Sequence, residues 1–288
     1  MKKIIALTLA LLMLAALCAC GAKTETKPAE TAATEAPAAP ALDLVTPGKL
    51  TVATSPDFAP YEFYAIDASG NPTLAGFDVA LAGYIANKLG LELEMVPIDF
   101  DGVLMELQTK KVDLGLAGLS PDPERANAMD FSDIYYMGGQ SFVTVKGNED
   151  KFKSLEDTNK AEYQIGAQTG SIQVGLAETN SPDADIIQLA KVTDIIAELL
   201  AGKLDGAYIE TAVAQSYSVN YPDLAIVLDV PYDVEGSAVG VSKGNEALLK
   251  AVNEAIAAAK SDGSLDKFVA EANEQAAGEI YEGLLEDK

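Results

Sequence analysis

The sequence has no histidine, no tryptophan, two cysteines and a single arginine. The missing histidine removes the commonest general base and the commonest transition-metal ligand together. Histidine-dependent catalytic triads and histidine-ligated zinc are thereby excluded, and neither a metal nor a cofactor is expected. The cysteines, Cys18 and Cys20, both lie near the N-terminus, so no disulfide is expected in the mature chain. Bases are scarce too: 20 lysines and arginines stand against 44 acids, a formal charge of −24. That balance argues against nucleic acid as a partner and against a basic face that would hug a membrane.

What is present begins with Lys2 and Lys3, followed by an apolar run from Ile4 to Leu17, the pattern of a secretory signal. The run is shorter than the roughly 20 apolar residues a membrane span needs. It ends in Leu17-Cys18-Ala19-Cys20-Gly21. This resembles a bacterial lipobox, which implies cleavage before Cys20 and a lipid on its sulfur. Cys18 fits less well because Leu17 is too large to precede the cut. Removing Lys2 and Lys3 leaves 18 bases against 44 acids, a formal charge of −26. Residues 22–42 are rich in Ala, Thr, Glu and Pro and nearly free of large apolar side chains. Such a stretch cannot bury enough surface to offset its ordering entropy, and it reads as a tether reaching roughly 25–30 Å. The expected order is a signal peptide at 1–19, a lipidated cysteine with its linker at 20–45, then the folded part. The protein is expected outside the cytoplasm, held to the membrane by its N-terminal lipid only.

The arginine, Arg125, sits in AGLSPDPERANAMDFSD, residues Ala117 to Asp133. On a solvated surface a lysine would serve. A planar guanidinium gripping a carboxylate through two parallel hydrogen bonds cannot be replaced in this way. Two readings stand: a structural ion pair with Glu124 or Asp130, or a clamp for an anionic ligand.

From Lys49 the chain alternates. Leu50–Thr54 reads as a strand. Asp78–Leu89 carries Val79, Ala82, Ile85, Ala86 and Leu89 at helical spacing and ends before Gly90. Leu91–Pro97 reads as a strand, a helix capped by Asp101 follows, and Val112–Ala117 is the next strand. The rhythm restarts with strands over Gln140–Val145 and Tyr163–Gly166, a helix opened by Ser171, a strand at Ile186–Leu189, a helix at Asp194–Leu200 and a strand at Leu204–Ile209. A strand at Ala238–Val241 and a helix at Glu246–Lys260 close the series. This is an α/β pattern of parallel sheets covered by helices, in two lobes. In open α/β sheets, ligands sit beyond the carboxyl ends of the strands. Ser55, Gly118, Arg125, Gly170 and Glu210 all fall at or just after such ends.

The stretch GFDVALAGYIA (Gly76–Ala86) and the run DFDGVLMELQTKKVDLGLAGLSPDPERANAMDFSDIYY resemble the polar amino-acid-binding proteins of bacterial ABC importers, extracellular solute-binding protein family 3. The likeness covers Gly48 to Asp266. Ala80 and Asp122 depart from it, standing where an acid and a threonine are usual. The resemblance implies a two-lobed periplasmic-binding-protein fold of type II, each lobe a mostly parallel sheet flanked by helices, with two crossing segments near Met137–Gly139 and Val230–Tyr232. Lobe 1 is expected at 46–137 plus 231–288 and lobe 2 at 138–230. The resemblance also implies that Arg125 clamps the ligand α-carboxylate, helped by Ala117, Gly118 and Ser120, while Gly170 and Ser171 (in AQTGSIQ) present a helix N-terminus to the same anion. Glu210, in YIET, takes the position where an aspartate usually holds the α-ammonium. Phe58 and Phe100 match walls around the ligand side chain, with Ser55 and Gln168 beside them.

Each residue has a plainer reading. Phe58 and Phe100 suit a core, Ser171 a helix cap, and Glu210 a carboxylate at a helix start. The expected function is a monomeric receptor that delivers a free amino acid, cationic or polar with arginine slightly ahead, to an ABC permease. Two other readings remain: a dehydratase acting on arogenate or prephenate on the same fold, and a ligand-sensing module, which is expected to lead through a membrane helix into a signalling domain.

Overall fold

The computed structural model describes residues 42–278, Glu235 excepted, together with Ile280. The expected signal peptide, Cys18, Cys20 and the tether up to residue 41 lie outside the described residues. Thirteen strands and seven helices follow in chain order among the described residues. They are β1 (Lys49–Thr54), β2 (Asp57–Phe58), β3 (Glu62–Ile66), β4 (Pro72–Ala75), α1 (Phe77–Leu89), β5 (Glu92–Pro97), α2 (Phe100–Gln108), β6 (Leu114–Gly115), β7 (Met129–Phe131) and β8 (Gln140–Val145). After these come β9 (Gln164–Gln168), α3 (Ile172–Asn180), β10 (Asp185–Leu189), α4 (Val192–Leu200), β11 (Gly206–Glu210), α5 (Thr211–Asn220), β12 (Leu224–Asp229), β13 (Gly240–Ser242), α6 (Glu246–Ser261) and α7 (Ser264–Ala276).

The strands form two five-stranded sheets, one in each lobe, ordered β5-β1-β6-β13-β7 and β10-β9-β11-β8-β12, plus a small sheet β2-β3-β4. The two large sheets have the same plan. Three strands pair parallel, and the fourth in order is antiparallel to both of its neighbours. The sheets are therefore mixed, not simply parallel. The reversed strands, β13 and β8, are the ones the chain enters after each passage between sheets, and that is why they run backwards. The two passages are hydrogen-bonded to each other: Tyr136 and Ser237 form an antiparallel bridge, and the Tyr135 N–H donates to the Ser237 carbonyl at 2.9 Å. The Tyr232 hydroxyl adds a bond to the Gly138 carbonyl at 3.2 Å.

Helix periodicity decides which face is buried. In α1, Leu81, Ala82, Ile85 and Ala86 face inward, and in α6 Leu248, Val252, Ile256 and Ala259 do so. They meet Leu50 and Val52 of β1 in one cluster that continues through Val143, Ile195, Ile209 and Val213 of the second half. Burial of each large aliphatic side chain contributes about 1.5–3 kcal/mol.

Several boundaries differ from the sequence reading. The expected strand Val112–Ala117 is a regular strand only at β6, although the flanking Asp113 and Leu116 N–H groups still donate to the Thr51 and Ala53 carbonyls of β1 at 2.9 and 3.0 Å. Asp101 does not cap α2; Asp99 stands at the N-cap, and the Asp101 carboxylate accepts from the Gly102 N–H at 2.9 Å. The end of the expected linker is held: Leu42 and Leu44 pack on the core, and the Val45 N–H donates to Asp113 at 2.8 Å. Among the described residues, no helix is long and apolar enough to cross a membrane.

Candidate functional site

A cavity lies at the carboxyl ends of β6, β9 and β11. Its lining includes Phe58, Phe100, Ala117, Gly118, Ser120, Arg125, Gln168, Ser171 and Glu210, nine of the eleven expected ligand residues. Ser55 and Gly170 are not on the wall. Ser55 is buried behind it, its hydroxyl donating to Asp57 at 2.8 Å. Gly170 contributes through its carbonyl, which accepts from Arg125.

Arg125 rises from a short 3₁₀ turn, Pro123–Asn127, whose N-terminus Asp122 caps by accepting from the Glu124 N–H at 2.8 Å. Threonine and aspartate both serve as N-caps, so Asp122 keeps the role of the residue it replaces. The guanidinium donates through Nη1 to the Ser120 carbonyl at 3.2 Å and through Nη2 to the Gly170 carbonyl at 3.0 Å, joining the loops after β6 and β9. Its carbon lies 5.6 Å from the centre of the Phe100 ring, a cation–π arrangement. Burial lowers its pKa and the nearby Asp122 opposes the change, but a guanidinium stays charged throughout. No carboxylate forms an ion pair with Arg125 among the described residues, and Asp130 pairs with Lys243 instead. The structural-pair reading therefore falls, leaving a fixed cation with N–H groups to spare.

Beside it, α3 begins. Ser171 stands at the N-cap, yet its hydroxyl donates to the Gln168 carbonyl at 2.7 Å instead of capping the helix. Ile172 and Gln173, whose first-turn N–H groups lack intrahelical acceptors, also line the cavity. This end of the cavity suits an anion, because the free N–H groups and the helix dipole act in the same direction as the guanidinium.

The opposite charge comes from Glu210. Its Oε2 accepts from the Val213 N–H at 2.8 Å and so caps α5, while Oε1 accepts from the Tyr61 hydroxyl at 3.2 Å and the Gly139 N–H at 3.3 Å. Glu210 thus stands at a helix start, as its plainer reading has it, and lines the cavity as well. Burial pushes its pKa up to about 7 despite these bonds.

The walls are apolar on one side. Phe58 and Phe100 belong to the hydrophobic clusters and face the cavity as well. Gly118 has φ +56° and would bring a Cβ within 2.7 Å of the Phe58 ring, so only glycine lets that ring lie where it does. Its N–H donates to Asp78 at 3.0 Å, so it is not the ligand-facing amide the resemblance implied. Sequence reasoning missed Gly138, Gln140, Ile172, Gln173, Tyr232, Gly236 and Ser237 on the lining. The Gly138-Gly139 pair in the first crossing was the one legible signal. A Cβ at Gly138 would lie 2.6 Å from Glu210 Oε1, so the carboxylate depends on glycine there. Among the described residues, no cluster of three or more His, Cys, Asp or Glu could hold a metal.

A two-lobed α/β fold with a cavity holding a fixed cation and a buried carboxylate defines a solute-binding protein. Residues 50–273 match the model of the bacterial extracellular solute-binding proteins, family 3, and the chain belongs to that family. It is 33% identical to the arginine-binding extracellular protein ArtP of Bacillus subtilis over 224 residues, 76% of this chain and 84% of that protein. It is 29% identical to the L-cystine-binding protein TcyJ of Escherichia coli K12, over 76% of this chain and 80% of that one. Among solved structures, it resembles the amino acid ABC transporter substrate-binding protein AbpA of Streptococcus pneumoniae bound to L-arginine. That match has a TM-score of 0.77 and 35% identity, covering 81% of this chain and 97% of the other. These relatives are binding proteins for amino acids, not enzymes.

Proposed function

We propose that the protein is an extracytoplasmic receptor, lipid-anchored through Cys20, that binds a free amino acid as a monomer and delivers it to an ABC permease. Arginine is the favoured ligand, ahead of lysine, with glutamine next. The observation that carries this reading is that one cavity is lined by the Arg125 guanidinium, the start of α3 and the Glu210 carboxyl. An α-carboxylate and an α-ammonium need that arrangement. Lobe 1 is taken as 46–137 with 231–288, and lobe 2 as 138–230, hinged at the paired crossing segments. The ligands after which the relatives are named or with which they were solved, arginine for two and cystine for one, support a cationic or polar side chain.

A thermal-shift screen of the twenty amino acids tests the reading, because a ligand at about 100 Kd adds roughly 2.7 kcal/mol of stability. Arginine is expected to give the largest shift; an acidic or purely aliphatic amino acid winning by tenfold in affinity would overturn the ligand assignment. For the anchor, Cys20→Ala is expected to abolish labelled palmitate incorporation in a bacterial host and Cys18→Ala to leave it intact. Label retained in Cys20→Ala would sink the lipobox.

A further inference from the structure

Gln168 is a side-chain amide on the cavity wall whose orientation a carboxylate and a carbonyl fix. Its Nε2 donates to Asp57 Oδ2 at 3.2 Å and to the Ala190 carbonyl at 3.1 Å, using both of its N–H bonds. Turning the amide over would set its oxygen against a carboxylate and a carbonyl, so these two acceptors decide which end points where. Oε1 accepts no bond from the described residues and is the polar atom Gln168 can offer to the cavity it lines.

Asp57 is held just as firmly. Its Oδ1 accepts from the Ser55 hydroxyl at 2.8 Å and its Oδ2 from the Val192 N–H at the start of α4, while its carbonyl accepts from the Tyr217 hydroxyl at 2.9 Å. Asp57 and Gln168 are each only 4% exposed, and Asp57 does not line the cavity itself. A glutamine free to turn could meet either a donor or an acceptor. Locked in this way, it can only accept.

We infer that Asp57 is a positioning residue for ligand selection: by holding the Gln168 amide nitrogen it turns the Gln168 oxygen toward the ligand and selects amino acids whose side chains end in an N–H donor. This rests on the cavity being the amino-acid site. It also gives Ser55 a part in selection from behind the wall, as a support for Asp57. A donor meeting Oε1 gains a hydrogen bond, whereas an aliphatic or thioether end leaves that oxygen buried without a partner.

The test is titration calorimetry with arginine, lysine and glutamine as donor ligands and methionine and norleucine as ligands without a side-chain donor. The readout is the affinity ratio of the tightest ligand in the first group to the tightest in the second. In the wild type this ratio is expected to be at least tenfold. Asp57→Ala is expected to cut it at least threefold, because the amide is then free to turn. Asp57→Asn is expected to preserve it for glutamine, since its carbonyl can still accept from Val192 and Gln168 while its NH₂ faces the Ser55 oxygen. Should Asp57→Ala fail to fold, Gln168→Met removes the acceptor directly and is expected to cut the ratio at least as far. A ratio unchanged in Asp57→Ala or Gln168→Met overturns the inference. So does a wild type that binds both groups equally, with the receptor reading left standing. A wild type that binds no amino acid overturns both.

Discussion

Protonating Glu210 is the most direct perturbation of the site. Burial raises its carboxyl from an ordinary 4.5 to about 7, against the bonds it accepts from Val213, Gly139 and Tyr61. Near neutrality the empty protein therefore holds this group about half protonated. A ligand α-ammonium placed against Oε1 favours the ionised form, so ligand and proton compete. If binding returns the carboxyl to its ordinary range, the difference is about 2.5 pH units. At 1.36 kcal/mol per unit this is about 3 kcal/mol, or roughly three hundredfold in affinity. The α-carboxylate and α-ammonium of the ligand do not titrate between pH 5 and 8, so the dependence belongs to the protein. Calorimetry should show affinity falling about tenfold per pH unit below about 7. Asp57 and Asp78, each raised by burial to about 6, also titrate in this window, so the control is Glu210→Gln. That variant keeps an oxygen for the Val213 N–H but cannot ionise. It should bind more weakly than wild type at pH 8, show a much shallower slope, and converge with wild type near pH 5. Flat wild-type affinity from pH 5 to 7.5, or an equal slope in both proteins, would refute the pairing of Glu210 with the ammonium.

Arg125→Lys should weaken every accepted amino acid by a similar factor, about 1.5–3 kcal/mol or some ten- to hundredfold, because the α-carboxylate is common to all. Unchanged affinity by calorimetry, with circular dichroism intact, would contradict the clamp. Gly138→Ala places a Cβ 2.6 Å from Glu210 Oε1 and 3.0 Å from the Tyr61 hydroxyl, and should cost at least tenfold in binding with little loss of secondary structure. Wild-type affinity in that variant would show that the carboxylate has room to move. Without ligand, the raised carboxyls act on stability in the opposite sense to their effect on binding. The folded-state values of Glu210, Asp57 and Asp78 lie above the ordinary 4.5, 3.8 and 3.8, so their contribution is full below those values and lost as pH rises through about 6–7. The ligand-free melting temperature should accordingly be higher at pH 5 than at pH 7.5, and a scan with the reverse order would mean these groups are solvated.

The parts of the fold legible in the sequence were those with a period. Amphipathic α1 and α6 and the buried strands β1 and β8 carry their own patterns, and they fell within a residue or two of the expected places. Short or crowded elements did not. β2 and β6 are each two residues long, because pairing is settled by neighbouring strands and not by the residues themselves. The hairpin β3–β4 was readable in principle, since Asp67 accepts from the Ser69 and Asn71 N–H groups in a turn between two short β-rich runs. In the site, charge was legible and orientation was not. A lone arginine stands out from composition, but that Ser55 faces Asp57 and not the cavity depends on contacts across 135 positions of sequence, between Asp57 and Val192.

The ionisation of the carboxyls at and behind the cavity wall bears on why the proposed reading favours a cationic side chain over a neutral one. Glu62 is fully buried, and burial together with Asp78 beside it holds its carboxyl well above the usual range. Asp57 and Asp78, at about 6, are mostly ionised near neutrality, and Glu210 is about half ionised. Against these stands one guanidinium, which a ligand α-carboxylate neutralises. Buried charge without compensation is costly, and an α-ammonium offsets only Glu210. On the proposed reading, a second positive charge on the ligand side chain, brought against the Gln168 oxygen, is offset by the Asp57 carboxylate to which the Gln168 amide is hydrogen-bonded. A neutral amide satisfies the same oxygen and leaves that carboxylate supported only by Ser55, Gln168 and the Val192 N–H. The difference between arginine and glutamine is therefore electrostatic, while the difference between glutamine and methionine is a matter of hydrogen bonding. On the proposed reading, the site ranks its ligands by both.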